Sequence, residues 1–239
     1  MTRSIKSFII VSAISGLLVP FFLALAHQPR FIPSTPATIR ISDPDVSQAF
    51  YGELRGTPDL YSITTQKPIH LYASILIPDI ERSKKDIFVI ANDTHNESVI
   101  FTLNGLTGSW DRFYEPFGGD WYLQGPKIEL DVPAGTYNLT VTSSDNAGKY
   151  VLAIGKNETF PLREIVRAFF IIPRIKLFYF GKSIPETLLS PWGVAFIIII
   201  GLIGFVSALV TRLLLRHSVG KRITSYCAML YYRYIQKFR

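Results

Sequence analysis

The chain is almost without cysteine. Of 239 residues only Cys227 carries a thiol, and it lies beyond the last long apolar run. No disulfide can therefore staple the part that precedes it, and a domain there must rely on a hydrophobic core. At about 130 residues it is large enough to do so. Histidine is nearly as scarce, at four, and His27, His70 and His95 stand in no metal-ligand spacing. Gly-x-Ser-x-Gly, His-Glu-x-x-His and a phosphate-binding glycine loop are all missing, so the ordinary signatures of hydrolases, zinc peptidases and nucleotide enzymes are excluded. No catalytic residue, metal or cofactor is expected. Acid is absent from 212–239, which holds seven Lys or Arg and so equals the whole net charge of +7. Basic charge confined to one tail argues for anionic lipid headgroups as its partner and against nucleic acid.

What the chain does have is apolar length. The run 191–211 is uncharged and long enough to cross a bilayer as a helix. A transmembrane helix is expected over 189–211. Arg212, Arg216, Lys221 and Arg222 follow it, and by the positive-inside rule the tail 212–239 lies against the cytoplasmic membrane surface. Cys227 in that tail is an ordinary thiol or a lipidation site. At the other end Arg3 and Lys6 precede the apolar run 7–25, and Ala24-Leu-Ala26 supplies a small-residue cleavage pattern. Residues 1–26 thus read as a signal peptide, with an uncleaved signal anchor as the alternative. In either case 27–190 faces out of the cytoplasm at the cell membrane.

Four of six asparagines stand in Asn-x-Ser/Thr sequons, at Asn92, Asn96, Asn138 and Asn157. Their enrichment implies an exported, N-glycosylated surface. Glycosylation without disulfides fits a prokaryotic, in particular archaeal, cell surface better than a eukaryotic secretory one. Residues 37–157 read as all-β. Short β-rich runs are expected at 37–42, 49–55, 60–65, 70–77, 86–91, 98–103, 127–132, 136–142 and 149–154, separated by turn chemistry such as Pro133-Ala-Gly135 and Asp145-Asn-Ala-Gly148. Alternation is clear where Tyr137, Leu139 and Val141 share one face, and where Ile128, Leu130 and Val132 oppose Lys127, Glu129 and Asp131. Closely spaced strands with no helical period predict a β-sandwich.

The order of these elements carries a resemblance. The stretch 49–63, with a strand ending at Gly and then Asp59-Leu-Tyr61, resembles the opening of the bacterial pre-peptidase C-terminal domain. The stretches 132–141 and 148–152 are similar to that family's final hairpin. The resemblance implies a jelly-roll-like sandwich that assists binding or stability and does not catalyse. Some members bind calcium near the start of the domain; the nearest counterpart here, Asp43-Pro-Asp45, lacks the fuller acidic cluster. The chain also resembles small prokaryotic membrane proteins with the same sandwich-plus-anchor plan.

Two segments depart from a minimal sandwich. In 109–126, Trp110, Phe113, Tyr114, Phe117, Trp121 and Tyr122 are interleaved with Asp111, Arg112, Glu115 and Asp120. It reads as a long loop that either plugs an open end of the sandwich or contacts a glycan or protein partner. Paired carboxylates among Asp111, Glu115 and Asp120 would be the basis of a hydrolase alternative. The second segment, 160–187, has Leu162, Ile165, Val166, Phe169 and Phe170 on one helical face and Arg163 and Arg167 on another. It reads as an amphipathic connector, interfacial or docked on the core, that Pro173 ends or kinks. The whole is expected to be a membrane-anchored, non-catalytic binding or assembly module, with an accessory subunit of a membrane complex as a further alternative.

Overall fold

The computed structural model describes residues 27–32, 37–116 and 118–212. The expectations for 1–26, for Phe117 and for Arg216, Lys221 and Arg222 fall outside those residues. The chain divides into two compact units, one ending at Val194 and the other beginning at Ala195.

The first unit is a β-sandwich, with eleven strands among the described residues. These are β1 (Gln28–Phe31), β2 (Ile39–Ile41), β3 (Gln48–Arg55), β4 (Asp59–Thr65), β5 (Ile69–Pro78), β6 (Ile87–Asp93), β7 (Val99–Asn104), β8 (Asp111–Glu115), β9 (Asp120–Val132), β10 (Gly135–Ser143) and β11 (Ala147–Ile154). One sheet has the order β1-β3-β11-β5-β9-β8 and the other β2-β4-β10-β6-β7. Each of the nine β-rich runs expected from the sequence overlaps one of these strands, with ends that differ by up to two residues except at the start of β9. β1, β8 and the first half of β9 are additions, because short or aromatic-crowded segments give no clean period of two.

Between the sheets lies a core built from Phe50, Leu54, Leu71, Ile75 and Ile77 of one sheet and Tyr61, Ile63, Val89, Leu139 and Val141 of the other. The five-stranded sheet is mainly polar outside, with Leu60, Phe88 and Ile90 interspersed. Asn138 is exposed there, and the register sets it directly beside Asn92 of β6. The six-stranded sheet differs. All of Tyr150, Val151, Leu152, Ala153 and Ile154 in β11 are buried, so that sheet is covered on both faces along β11, while the outer face at His70, Glu129 and Asp131 stays open.

The second cover is the connector. Helix α1 (Leu162–Arg174) runs directly into a π-helical turn, Ile175–Tyr179, and Ile175, Tyr179 and Phe180 pack on Ala49, Tyr51, Leu76, Tyr122, Val151 and Ala153. Pro173 therefore does not end the helix. The turn after it widens, with the Phe180 N–H reaching back five residues to the Ile175 carbonyl. The face of α1 turned inward is Glu164, Ala168 and Ile172, and most of the expected apolar face points out: Leu162, Val166 and Phe170 are exposed. A short helix α2 (Ile184–Leu189) follows, started by a Ser183–Glu186 capping box. Helix α3 (Pro191–Arg212) is, among the described residues, the one helix long and apolar enough to cross a membrane.

The motifs that carried the family resemblance meet inside the sandwich. Gly56 ends β3 at φ +87°, a conformation that favours glycine. The Tyr150 hydroxyl donates to Asp59 at 2.6 Å and lies 2.8 Å from the Tyr61 hydroxyl, while the Tyr150 ring occupies the space that a Cβ on Gly52 would need. Burial raises the Asp59 carboxyl above its usual range, against the Tyr150 hydrogen bond that lowers it.

Replacing Tyr150 by Phe leaves Tyr61 and Asp59 short of a buried partner and should cost about 1–3 kcal/mol, read from denaturant unfolding. On the outer face, His70 lies 2.7 Å from Asp131 and 3.4 Å from Glu129, and these carboxylates raise its pKa above 6.5. The contribution is complete below the unfolded-state pKa and disappears as pH rises through the higher folded one. An NMR titration should place the His70 midpoint above 6.5, and His70→Gln should flatten the stability profile across that window.

Candidate functional site

The aromatic segment is not the irregular loop that its Gly and Pro content suggests. β8 and β9 pair as an antiparallel hairpin through 116–119, and β8 is an edge of the six-stranded sheet. The Glu115 carboxylate accepts the Gly118 N–H at 2.5 Å and fixes the turn, while Gly119 adopts φ +73°. Just beyond, at Gly125-Pro126, a bulge interrupts the β5–β9 ladder. Proline, which has no N–H to donate, is tolerated at such a point. The bulge also shifts the phase of β9: Ile128, Leu130 and Val132 face the inter-sheet core, whereas Tyr122 faces the connector.

Pairing sorts the candidate residues onto two faces of the hairpin. Asp111, Phe113 and Glu115 stand opposite Gln124, Tyr122 and Asp120 on the connector side. Arg112 and Tyr114 stand opposite Leu123 and Trp121 on the other. This second face holds the accessible cluster. Trp121 is 43% and Tyr114 39% exposed, with ring centroids 4.9 Å apart. The Arg112 guanidinium lies 4.2 Å over the Trp121 ring and is held by Asp79 at 2.6 Å. Phe113, though exposed, is on the opposite face, so the six aromatics do not form one surface. Trp110 is a packing residue. Its indole N–H donates to the Gly105 carbonyl at 2.8 Å, and its ring covers Gly125 so closely that a Cβ there would sit 2.7 Å away.

Asp120 and Tyr122, read from the sequence as contact residues, are buried. The Asp120 carboxylate is 2% exposed and is shared by two ammonium groups. Lys176 Nζ, itself fully buried, donates to Oδ2 at 2.8 Å, and Lys182 Nζ donates to Oδ1. Burial lowers the Lys176 pKa, and the Asp120 hydrogen bond and charge act against that. Tyr122 meets Tyr51 hydroxyl to hydroxyl at 3.1 Å beneath Phe180. Both residues lock the hairpin to the connector.

The three carboxylates are poorly placed for paired chemistry. Asp111 and Glu115 share a face four residues apart, about 13 Å along a strand at about 3.3 Å per residue, beyond the separation of glycosidase pairs. Asp120 is neighbour to Glu115 across the hairpin, but its oxygens are taken by the lysines.

Among the sequons, Asn96, Asn138 and Asn157 are exposed, whereas the Asn92 side-chain nitrogen donates to the Glu97 carbonyl at 3.3 Å. Arg212 is exposed at the end of α3. Of the two placements the sequence left open for the connector, the docked one is observed for Ile175, Tyr179 and Phe180, and the buried Lys176 is what sequence reasoning missed. One signal was available: the unbroken apolar run of β11 already requires cover on both faces.

No protein-family model matches this sequence, and no curated protein matches it. Among solved structures, the fold is similar to the pre-peptidase C-terminal domain of collagenase from Bacillus anthracis. That likeness has 13% identity and a TM-score of 0.33 over 52% of this chain and 98% of that one. A β-glucosidase from Paenibacillus barengoltzii is similar at 13% identity and a TM-score of 0.24, over 54% of this chain and 13% of that chain. Likeness of this size transfers neither a site nor an activity.

Asp120→Ala should cost about 3–5 kcal/mol, because Lys176 is left buried without its counter-charge. The double change Asp120→Leu/Lys176→Met should recover most of that loss in thermal unfolding; if it unfolds as readily as Asp120→Ala, the pair is more than a charge balance.

Proposed function

We propose that this chain is a membrane-anchored, extracytoplasmic, non-catalytic binding or assembly module. A jelly-roll-like, N-glycosylated sandwich would be exported by a signal peptide, held by α3 and steadied inside the cell by the basic tail on anionic lipid. The hairpin face formed by Arg112, Tyr114 and Trp121 is its contact surface for a glycan or envelope protein. The observation that carries this reading is an accessible aromatic pair with a guanidinium over one ring, on a hydrogen-bonded hairpin. Tyr, Trp and Arg are the residue types that dominate binding energy at contact sites, and rigid rings lose little entropy when covered. Sugar rings and protein side chains both stack on such a surface.

An accessory role in a membrane complex is the second reading. It is favoured by the hairpin tip, where Gly119 lies so close to Pro191, the first residue of α3, that a Cβ would overlap the proline ring. A partner touching the tip would thus also feel the start of the anchor.

Full-length protein purified in mild detergent should retain a defined partner or glycan that Tyr114→Ala/Trp121→Ala loses by about 30-fold or more in affinity, while melting at the same temperature. Trp110→Ala should instead lower the melting temperature. Equal binding by wild type and the folded double variant would sink the hairpin reading. Loss of binding only when α3 is replaced by an unrelated span would favour the accessory role.

A further inference from the structure

On the side of the sandwich away from β8, the edges of the two sheets leave a seam. There β1 of one sheet and β2 of the other border α1, and the groove between them measures about 580 Å³. Four arginines line it: Arg30 from β1, Arg40 from β2, and Arg163 and Arg167 from successive turns of α1. Two carboxylates lie with them, Asp43 and the buried Glu164. The Glu164 carboxylate is divided among Arg30 at 2.7 Å, Arg167 at 3.3 Å and Arg163 at 3.8 Å, one negative charge for three guanidinium groups. Arg40 is exposed and has no ion pair among the described residues. The groove therefore retains positive charge and guanidinium donors, and guanidinium forks match phosphate oxygens two at a time.

The outer side of the same helix is apolar. Leu162, Val166 and Phe170 recur every four residues and are exposed, Phe170 to 67%, with the exposed Arg174 next in the series and Phe178 exposed beyond it. A stripe of this kind beside arginines is the arrangement of a helix that lies at the boundary between lipid headgroups and acyl chains. It belongs to the stretch of chain that leads into α3.

We propose that the arginine groove binds the phosphate headgroup of an anionic membrane lipid, with the Leu162–Val166–Phe170 stripe lying along its acyl chains. The phosphate replaces the counter-charge that Glu164 supplies only in part, and the chains cover a stripe that is otherwise bare. The inference takes from the proposed function only the membrane anchor and is independent of the hairpin.

The test is native mass spectrometry of the full-length protein in neutral detergent with three probes: phosphatidylglycerol, diacylglycerol with the same chains, and glycerol 3-phosphate. Arg40→Gln/Arg163→Gln leaves the Arg30–Glu164 pair intact. Arg55→Gln/Lys67→Gln removes the same charge elsewhere on the sandwich, and the basic tail is common to all. Phosphatidylglycerol should bind the groove variant about tenfold more weakly than wild type. The charge control and Tyr114→Ala/Trp121→Ala should bind it like wild type, with diacylglycerol and glycerol 3-phosphate both weaker than the lipid. Equal lipid binding by wild type and the groove variant overturns the site, as does an equal loss in the charge control. Diacylglycerol binding as tightly as phosphatidylglycerol would mean that the stripe acts alone. Glycerol 3-phosphate binding as tightly as the lipid would make the groove a site for soluble phosphate esters.

Discussion

The rest of the structure depends on how one carboxylate is neutralised. Asp120 opens β9 in a position without solvent, where an isolated charge would be prohibitive. Lys176 and Lys182 of the connector supply the compensation. Apolar contact gives the connector its affinity for the sheet, through Ile175, Tyr179 and Phe180 on Tyr51, Tyr122 and Val151. Such contact is non-directional. The ion pair adds direction, because a rotation of the π-helical turn by one residue would carry Lys176 away from the buried Asp120 carboxylate. The pair thus sets register at a cost in desolvation. The hairpin, the connector and the start of α3 are thereby held as one construction within the first unit.

That construction divides the molecule by role. The five-stranded sheet keeps a mainly polar outer face, where Asn92 and Asn138 stand side by side. The six-stranded sheet is covered on its outer face where the connector docks and carries two chemically distinctive features at its two edges. At β8 the aromatic pair Tyr114 and Trp121 is presented with Arg112. At β1 four arginines border a groove beside an apolar helical stripe. Edge strands are where a sandwich has space for such features, since interior strands are hydrogen-bonded along both sides and edge strands along only one.

Much of this was legible from residue order. Tyr137, Leu139 and Val141 alternate with polar neighbours, and the alternation placed β10 and its buried face correctly because a half-buried strand has only one way to satisfy that pattern. The aromatic segment was misread as a loop because Gly118, Gly119, Gly125 and Pro126 resemble turn chemistry. Two of the four form the hairpin turn and two form a bulge inside a continuing strand. In α1 the arithmetic of the helix found the apolar face, but not which way it points. Glu164, Ala168 and Ile172 won the inward position, since Glu164 reaches Arg30 and Ala168 allows close approach.

By itself the sequence determined the class of the domain, its reliance on a core without disulfides, the apolar helix that follows it and the basic tail beyond. Those properties are local: they follow from period, composition and length, which neighbouring residues fix among themselves. Only the tertiary structure decided that Asp120 is a buried counter-charge and Trp121 an exposed ring, although they are adjacent. It also decided that arginines more than 120 positions apart share one groove. Such outcomes depend on which distant segment covers each face. The ion pair of Asp120 with Lys176 and that of Arg30 with Glu164 are energetically defined only once the water between the segments has been expelled.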